Sequence, residues 1–225
     1  MGIDFFLKNG YNKRKRGNHA LEITAITPQL KDKTRCNIFV DGRFYCGMSL
    51  ATTVKNRLKV GAQVDEEKLS SMQLESEKNT ALDKALTHIS ATRKTEKQIR
   101  DFLAKKGFLP AVVDYVVEKM RGYDFLNDGE YATEYISHAA TKKGARLIKC
   151  ELRAKGVSER DVNVALESLD GETELAAATG ILEKYLRSKT VDRETLQKAY
   201  RYLLGKGFDY DTAKRAIGAF GDEED

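Results

Sequence analysis

A lysine–glycine pair followed by an apolar residue occurs three times in this sequence, at Lys106-Gly107-Phe108, Lys155-Gly156-Val157 and Lys206-Gly207-Phe208, about fifty residues apart. A leucine stands four positions before each glycine (Leu103, Leu152, Leu203). Further apolar columns follow at fixed offsets: Val113, Val162 and Ala213; Val116, Ala165 and Ala216; Val117, Leu166 and Ile217; Met120, Leu169 and Phe220. So many agreeing columns in three copies mark an internal repeat, and repeats of this length build stacked helical arrays.

The central copy shows the local logic. Between Lys142 and Leu169 the apolar residues recur at the 3.6-residue period of helices, on both sides of Gly156. Glycine ends a helix there because it alone takes the left-handed cap conformation without steric cost. Ser158 then caps the next helix, with Asp161 in its first turn. The same reading puts Thr95 and Asp192 at caps, Pro110 in a first turn, and Asn127 with Glu130 in a capping box. Each repeat then has three helices, and nine in all.

Ahead of the repeats the pattern changes. Leu21 to Thr27 alternates and is β-branched, and Asp41-Gly42 is a two-residue hairpin signal between 36–40 and 43–48. Three antiparallel strands are expected. A helix capped by Ser49 should run to about Lys59 with Val54 and Leu58 facing in, and another should open at Asp65. If Val40 pairs with Arg43, Cys46 lies opposite Asn37, and Cys36 and Cys46 point to opposite faces of the ribbon. Three cysteines make no disulfide framework, so reduced thiols are expected.

The resulting fold is mainly α: three tandem three-helix repeats forming an elongated curved array, preceded by a small antiparallel sheet with a short helix. The expected organisation is a basic tail (1–18), a sheet-plus-helix extension (19–77), repeats at 78–123, 124–170 and 171–221, and an acidic tail (222–225).

Charged residues make up 32% of the 225 residues, which suits an array with much surface for its core, and the net charge of +5 permits contact with polyanions. The run Lys13-Arg-Lys-Arg16 reads first as solubilising and second as a phosphate contact. The sequence has no membrane-length apolar run and no secretory leader pattern, so a cytoplasmic protein is expected. His19, His88 and His138 are scattered, and no zinc-ligand spacing, phosphate-binding glycine loop or dinucleotide fingerprint is present. Nothing in these patterns points to a catalytic, cofactor or metal site.

Lys142, Arg146, Lys149 and Arg153 fall at i, i+4, i+7 and i+11, one basic ridge, and Arg93, Lys97 and Arg100 make a similar stripe. With Lys143 and Lys155 these are the candidate contacts to phosphates or acidic protein surfaces. Reversing Lys149 and Arg153 to glutamate is the corresponding test. Glu151 is expected to pair with Lys155 at i+4, Tyr131 and Tyr135 to pack in the core rather than stack on bases, and Asp128 to serve as a helix-start carboxylate.

Two segments carry a family resemblance. Leu126-Asn-Asp128-Gly-Glu-Tyr131-Ala132 fits the pattern L-x-D-x-x-[FY]-A, and Lys143-Gly144-Ala145 through Lys155-Gly156-Val157 fits K-G-x-x-x-I-x-x-E-L-x-x-K-G-[IV]. In this order they resemble the RecX family, bacterial regulators of the RecA recombinase. The resemblance spans roughly Leu21 to Phe220 and includes the hairpin-bearing extension of some members. Ala145 departs from a proline found in many members, which implies only a local change at the helix start. The resemblance implies a non-enzymatic protein that binds the RecA–single-stranded-DNA filament; a monomer is expected separately, because no uncapped apolar ridge is evident. It would restrain ATP hydrolysis, strand exchange and co-protease activity, by capping or by disassembly, and so modulate recombinational repair and the SOS response. Weak, salt-sensitive binding to single- or double-stranded DNA accompanies that reading. The alternative is a helical-repeat nucleic-acid-binding protein acting without RecA.

Overall fold

A computed structural model describes residues 21–221. The basic run at 13–16 and the acidic residues 222–225 lie outside the described residues. The described chain forms four strands and ten helices. It divides into two compact units, 21–92 with Arg100–Met120, and Arg93–Ile99 with 121–221.

In the first unit, β1 (Leu21–Pro28), β2 (Arg35–Val40) and β3 (Arg43–Ser49) are followed by α1 (Leu50–Lys55) and β4 (Gln63–Val64). The antiparallel sheet has the order β3-β2-β1-β4. Asp41 and Gly42 both take positive φ, as a two-residue hairpin turn requires. The sequence reading missed β4, whose Val64 and Gln63 pair with Leu21 and Glu22. Two residues are too few to show an alternating pattern.

Val40 pairs with Arg43 as expected, but the register then slips by one, so that Ile38 rather than Asn37 faces Cys46. Because side chains alternate along a strand, a bulge moves everything beyond it to the other face. Cys36 and Cys46 therefore share the buried face with Ile38, Val40 and Met48, contrary to the unbulged expectation. Both are free thiols, as is the exposed Cys150. Burial pushes the Cys46 thiol up to about 12, so it is not a reactive thiolate at neutral pH.

Ser49 caps α1 through Thr52 N at 3.1 Å, but the helix ends at Lys55 and not near Lys59. It is also rotated relative to expectation. Thr52 and Thr53 are buried while Val54 is 75% exposed. The Thr53 hydroxyl donates to Ser49 O at 3.0 Å and lies 3.2 Å from Cys36 Sγ. A threonine whose hydroxyl is paired locally can be buried at little cost.

Helix α2 (Glu66–Ile89) runs unbroken through residue 78 and serves as the first helix of the first repeat. It is followed by α3 (Glu96–Lys105) and α4 (Pro110–Gly122). The second repeat comprises α5 (Asp128–Ala139), α6 (Ala145–Ala154) and α7 (Glu159–Leu166). The third comprises α8 (Gly171–Leu186), α9 (Arg193–Gly205) and α10 (Tyr210–Gly221). The expected caps form: Asn127 accepts from Glu130 N, Ser158 from Asp161 N and Asp192 from Thr195 N.

The repeated turn is one structure made three times. Gly107, Gly156 and Gly207 have φ of +85°, +91° and +91°. In each copy the residue after the glycine donates to the leucine carbonyl five positions back: Phe108 to Leu103, Val157 to Leu152 and Phe208 to Leu203, at 3.1–3.3 Å. With the glycine's own amide, which donates to Ala104, Arg153 or Leu204 three positions back, this bond satisfies the last carbonyls of the helix and sets the angle to the next one. The apolar columns meet as cores, with Ile148, Leu152 and Val162 fully buried in the second repeat and Leu182, Leu203 and Phe208 in the third.

Candidate interaction surface

Within the second unit the first turn of a repeat's middle helix rests on a lysine–glycine turn further along the chain. The Thr95 hydroxyl donates to Lys155 O at 2.6 Å, beside Gly156. One repeat later, Gly144 N donates to Lys206 O at 3.0 Å and Arg146 N to Gly207 O at 3.1 Å. The orphan amides of one helix start are thus satisfied by the orphan carbonyls of another helix end. The fit leaves no room for side chains: a Cβ on Gly144 would lie 2.3 Å from Phe208 N, and one on Gly156 2.4 Å from Lys97 Cβ.

Asp128 adds to the first of these joints. It sits in the first turn of α5, as expected, and its Oδ1 also accepts from Glu96 N at 2.9 Å. Burial raises its pKa, with the Glu96 amide pulling the other way. The aspartate of the L-x-D motif therefore stands in the first turn of its own helix, behind the Asn127 cap, and accepts from the first amide of another.

These joints place the candidate cations, and their partners differ. Lys149 Nζ reaches Asn163 at 2.8 Å and Glu159 at 3.6 Å, and Arg153 pairs with the same Glu159. Arg93 pairs with Glu130 at 2.6 Å and Glu134 at 3.1 Å. Arg100 pairs with Asp114 at 2.5 Å. Lys97 carries interactions of its own. Arg93 precedes α3 and Lys142 precedes α6, so neither stripe lies wholly on one helix. Lys142 and Arg146 remain exposed, with no acidic partner within ion-pair distance among the described residues. Internal neutralisation thus reduces the central ridge to these two cations.

Glu151 does not pair with Lys155. Its carboxylate accepts from Lys143 Nζ at 2.6 and 2.7 Å and from the Tyr135 hydroxyl at 2.6 Å. Lys155 instead lies 5.5 Å above the Tyr135 ring. Burial alone would raise the Glu151 pKa, but the Lys143 and Tyr135 hydrogen bonds outweigh it and hold it low. The bond to Glu151 in turn raises Lys143. Tyr131 and Tyr135 pack against the second repeat's core, as expected. Glu151→Ala leaves a half-buried ammonium and a phenol without their acceptor. It is expected to cost about 1–2 kcal/mol after allowing for solvent screening. Urea midpoints of Glu151→Ala and Tyr135→Phe check this, and two unchanged midpoints would show the network contributes nothing.

No helix among the described residues is long and apolar enough to cross a membrane, and no group of three metal-ligating side chains occurs among them. The sequence reading passed over three cations, Arg193, Arg201 and Lys214, which border a groove on the third repeat. Only their place in the last repeat sets them apart in sequence.

Comparison with known proteins matches four stretches that together make up most of the described chain. Residues 21–65 match the regulatory protein RecX N-terminal domain. Residues 81–120, 127–166 and 172–217 match the first, second and third RecX three-helix domains. Regulatory protein RecX of Clostridium perfringens (strain 13 / Type A) is 34% identical over 200 residues, covering 87% of this chain and 94% of that protein. Regulatory protein RecX of Bacillus subtilis (strain 168) is 32% identical over 207 residues, covering 90% and 78%. A crystal structure of regulatory protein RecX superposes with a TM-score of 0.66 at 26% identity, covering 88% of this chain and 99% of that one. The crystal structure of RecX from Lactobacillus salivarius shares the fold, with a TM-score of 0.59 over 64% of this chain.

Proposed function

The chain belongs to the RecX family of regulatory proteins, and from that premise we propose that it binds the RecA–single-stranded-DNA filament and restrains it. The restraint covers ATP hydrolysis, strand exchange and co-protease activity, so that the protein tempers recombinational repair and the SOS response. It acts as a cytoplasmic monomer. The observation that carries this reading is likeness over all four domains, from residue 21 to residue 217. The geometry supports it. Hydrogen bonds at the joints fix the helix sets of the second unit, so exposed cations on successive repeats keep a constant spacing. A preorganised surface loses little entropy on binding a regular polymer.

The test is single-stranded-DNA-dependent ATP hydrolysis by RecA with this protein titrated in. Inhibition well below one molecule per RecA is expected, because a protein acting on a polymer can affect many subunits at once. Inhibition only at ratios that cover all the DNA would replace this reading with competition for nucleic acid. A salt series separates the two, since each phosphate contact releases a counterion and plain DNA binding falls steeply as salt rises.

A further inference from the structure

The third repeat has an open end. In the two preceding repeats the first turn of the middle helix is covered, at Thr95 by the Lys155–Gly156 turn and at Gly144 by the Lys206–Gly207 turn. The corresponding turn of α9, at Asp192 and Arg193, instead borders a groove of about 1310 Å³ between α9 and α10. That exceeds the roughly 300–1,000 Å³ of small-molecule pockets and suits a length of chain. Its apolar wall is formed by Val191, Leu196, Ile217 and Phe220. Val191 is 46% exposed. Phe220, thirteen positions after the third turn glycine, is half-buried.

The groove is also cationic. Arg193, Arg201 and Lys214 line it, all exposed and none with an acidic partner within ion-pair distance among the described residues. Its one carboxylate, Asp192, is already engaged with Thr195 N at 2.7 Å. We propose that this groove is a docking site for an acidic protein segment carrying apolar side chains. In such a complex the apolar residues would seat on Leu196, Ile217 and Phe220, and the carboxylates would meet Arg193, Arg201 and Lys214. An apolar centre with a charged rim is the anatomy of protein–protein contacts. A strand of nucleic acid would want open aromatic faces for its bases. Here the apolar wall is mostly aliphatic, and its two aromatic residues, Tyr200 and Phe220, are both half-buried against the third repeat's own core, as Leu196 and Ile217 are, so neither ring stands fully open. The inference rests on the filament reading, naming the chemistry a filament subunit would present here.

The probe is a fluorescent twelve-residue peptide of aspartate, glutamate, leucine and phenylalanine, titrated into the full chain. Saturable binding is expected, falling by about tenfold or more in Arg201→Glu/Lys214→Glu. Replacing leucine and phenylalanine in the peptide by serine should abolish it. Circular dichroism melts of the variant, with Arg201→Gln/Lys214→Gln as a milder pair, separate lost contact from lost fold. Absence of saturable binding, or undiminished binding by a folded variant, overturns the proposal. Displacement by an oligothymidylate of equal charge overturns it in favour of nucleic acid. Binding that emerges only after Asp222, Glu223, Glu224 and Asp225 are changed to amides overturns it in favour of the chain's own segment. ATPase inhibition is read separately. If the unmodified protein inhibits RecA and the folded groove variant inhibits equally, the groove fails while the filament reading stands. If the unmodified protein does not inhibit, the filament reading fails, and the peptide titration still decides the groove.

Discussion

Gly207→Ala is expected to destabilise the protein by about 2–5 kcal/mol, two additive costs falling on one methyl group. The first is conformational. Gly207 has φ +91°, and an L-residue forced into the left-handed region loses roughly 1–2 kcal/mol. The second is steric. The new Cβ would stand 2.4 Å from both the Cβ and the backbone N of Leu147. Backbone at that distance cannot swing aside as a lysine stem can, so the joint between α6 and the third repeat's turn must open. That opening strains the bonds from Gly144 N to Lys206 O and from Arg146 N to Gly207 O. Overpacking of this kind costs roughly 1–3 kcal/mol. Gly218→Ala is the control. It lies inside α10 with open space where its Cβ would go, and the substitution should stabilise by about 0.5–1 kcal/mol. Urea unfolding of the two variants gives the comparison. A Gly207→Ala midpoint near that of the unmodified chain would mean the joint carries no stability.

The joints also mark where the sequence stops being legible. The turn glycines, the leucine before them and the caps at Asn127, Ser158 and Asp192 are local features, each satisfied within a few residues of chain, and all read correctly. The hairpin read correctly at its turn and failed beyond it. The bulge that brings Cys46 opposite Ile38 adds one residue to one strand without a sequence mark. Gly144 showed only as part of a motif, because the backbone it must clear lies more than sixty residues away, at Phe208. Glu151 followed the same rule. An i+4 partner was visible in Lys155, but the packing of α5 against α6 brought Lys143 and Tyr135 closer. The basic ridge was legible as a pattern of charge and not as a pattern of free charge. Glu159, which occupies Lys149 and Arg153, belongs to the next helix, across the Gly156 turn.

That distinction decides the second large effect. Reversing Lys149 and Arg153, the test the ridge first invites, would set two new carboxylates against Glu159 and confound lost contact with local repulsion. Lys142→Glu/Arg146→Glu is the cleaner pair, since both side chains are exposed and neither makes a side-chain hydrogen bond or ion pair among the described residues. Arg146 acts on Asp209, whose carboxyl is held low first by the Thr212 amide and only last by Arg146. The fold therefore loses little. If these cations face an anionic filament, each reversal removes one attraction and adds one repulsion, about 1 kcal/mol or more apiece. The concentration giving half-inhibition of RecA ATP hydrolysis should then rise by about tenfold to a hundredfold. Lys142→Gln/Arg146→Gln, which removes charge without reversing it, should fall between. A graded series with unchanged melting curves would place the filament against the start of α6. Equal inhibition by all three proteins would move the contact off this face, leaving the groove on the third repeat as the cationic surface to test next.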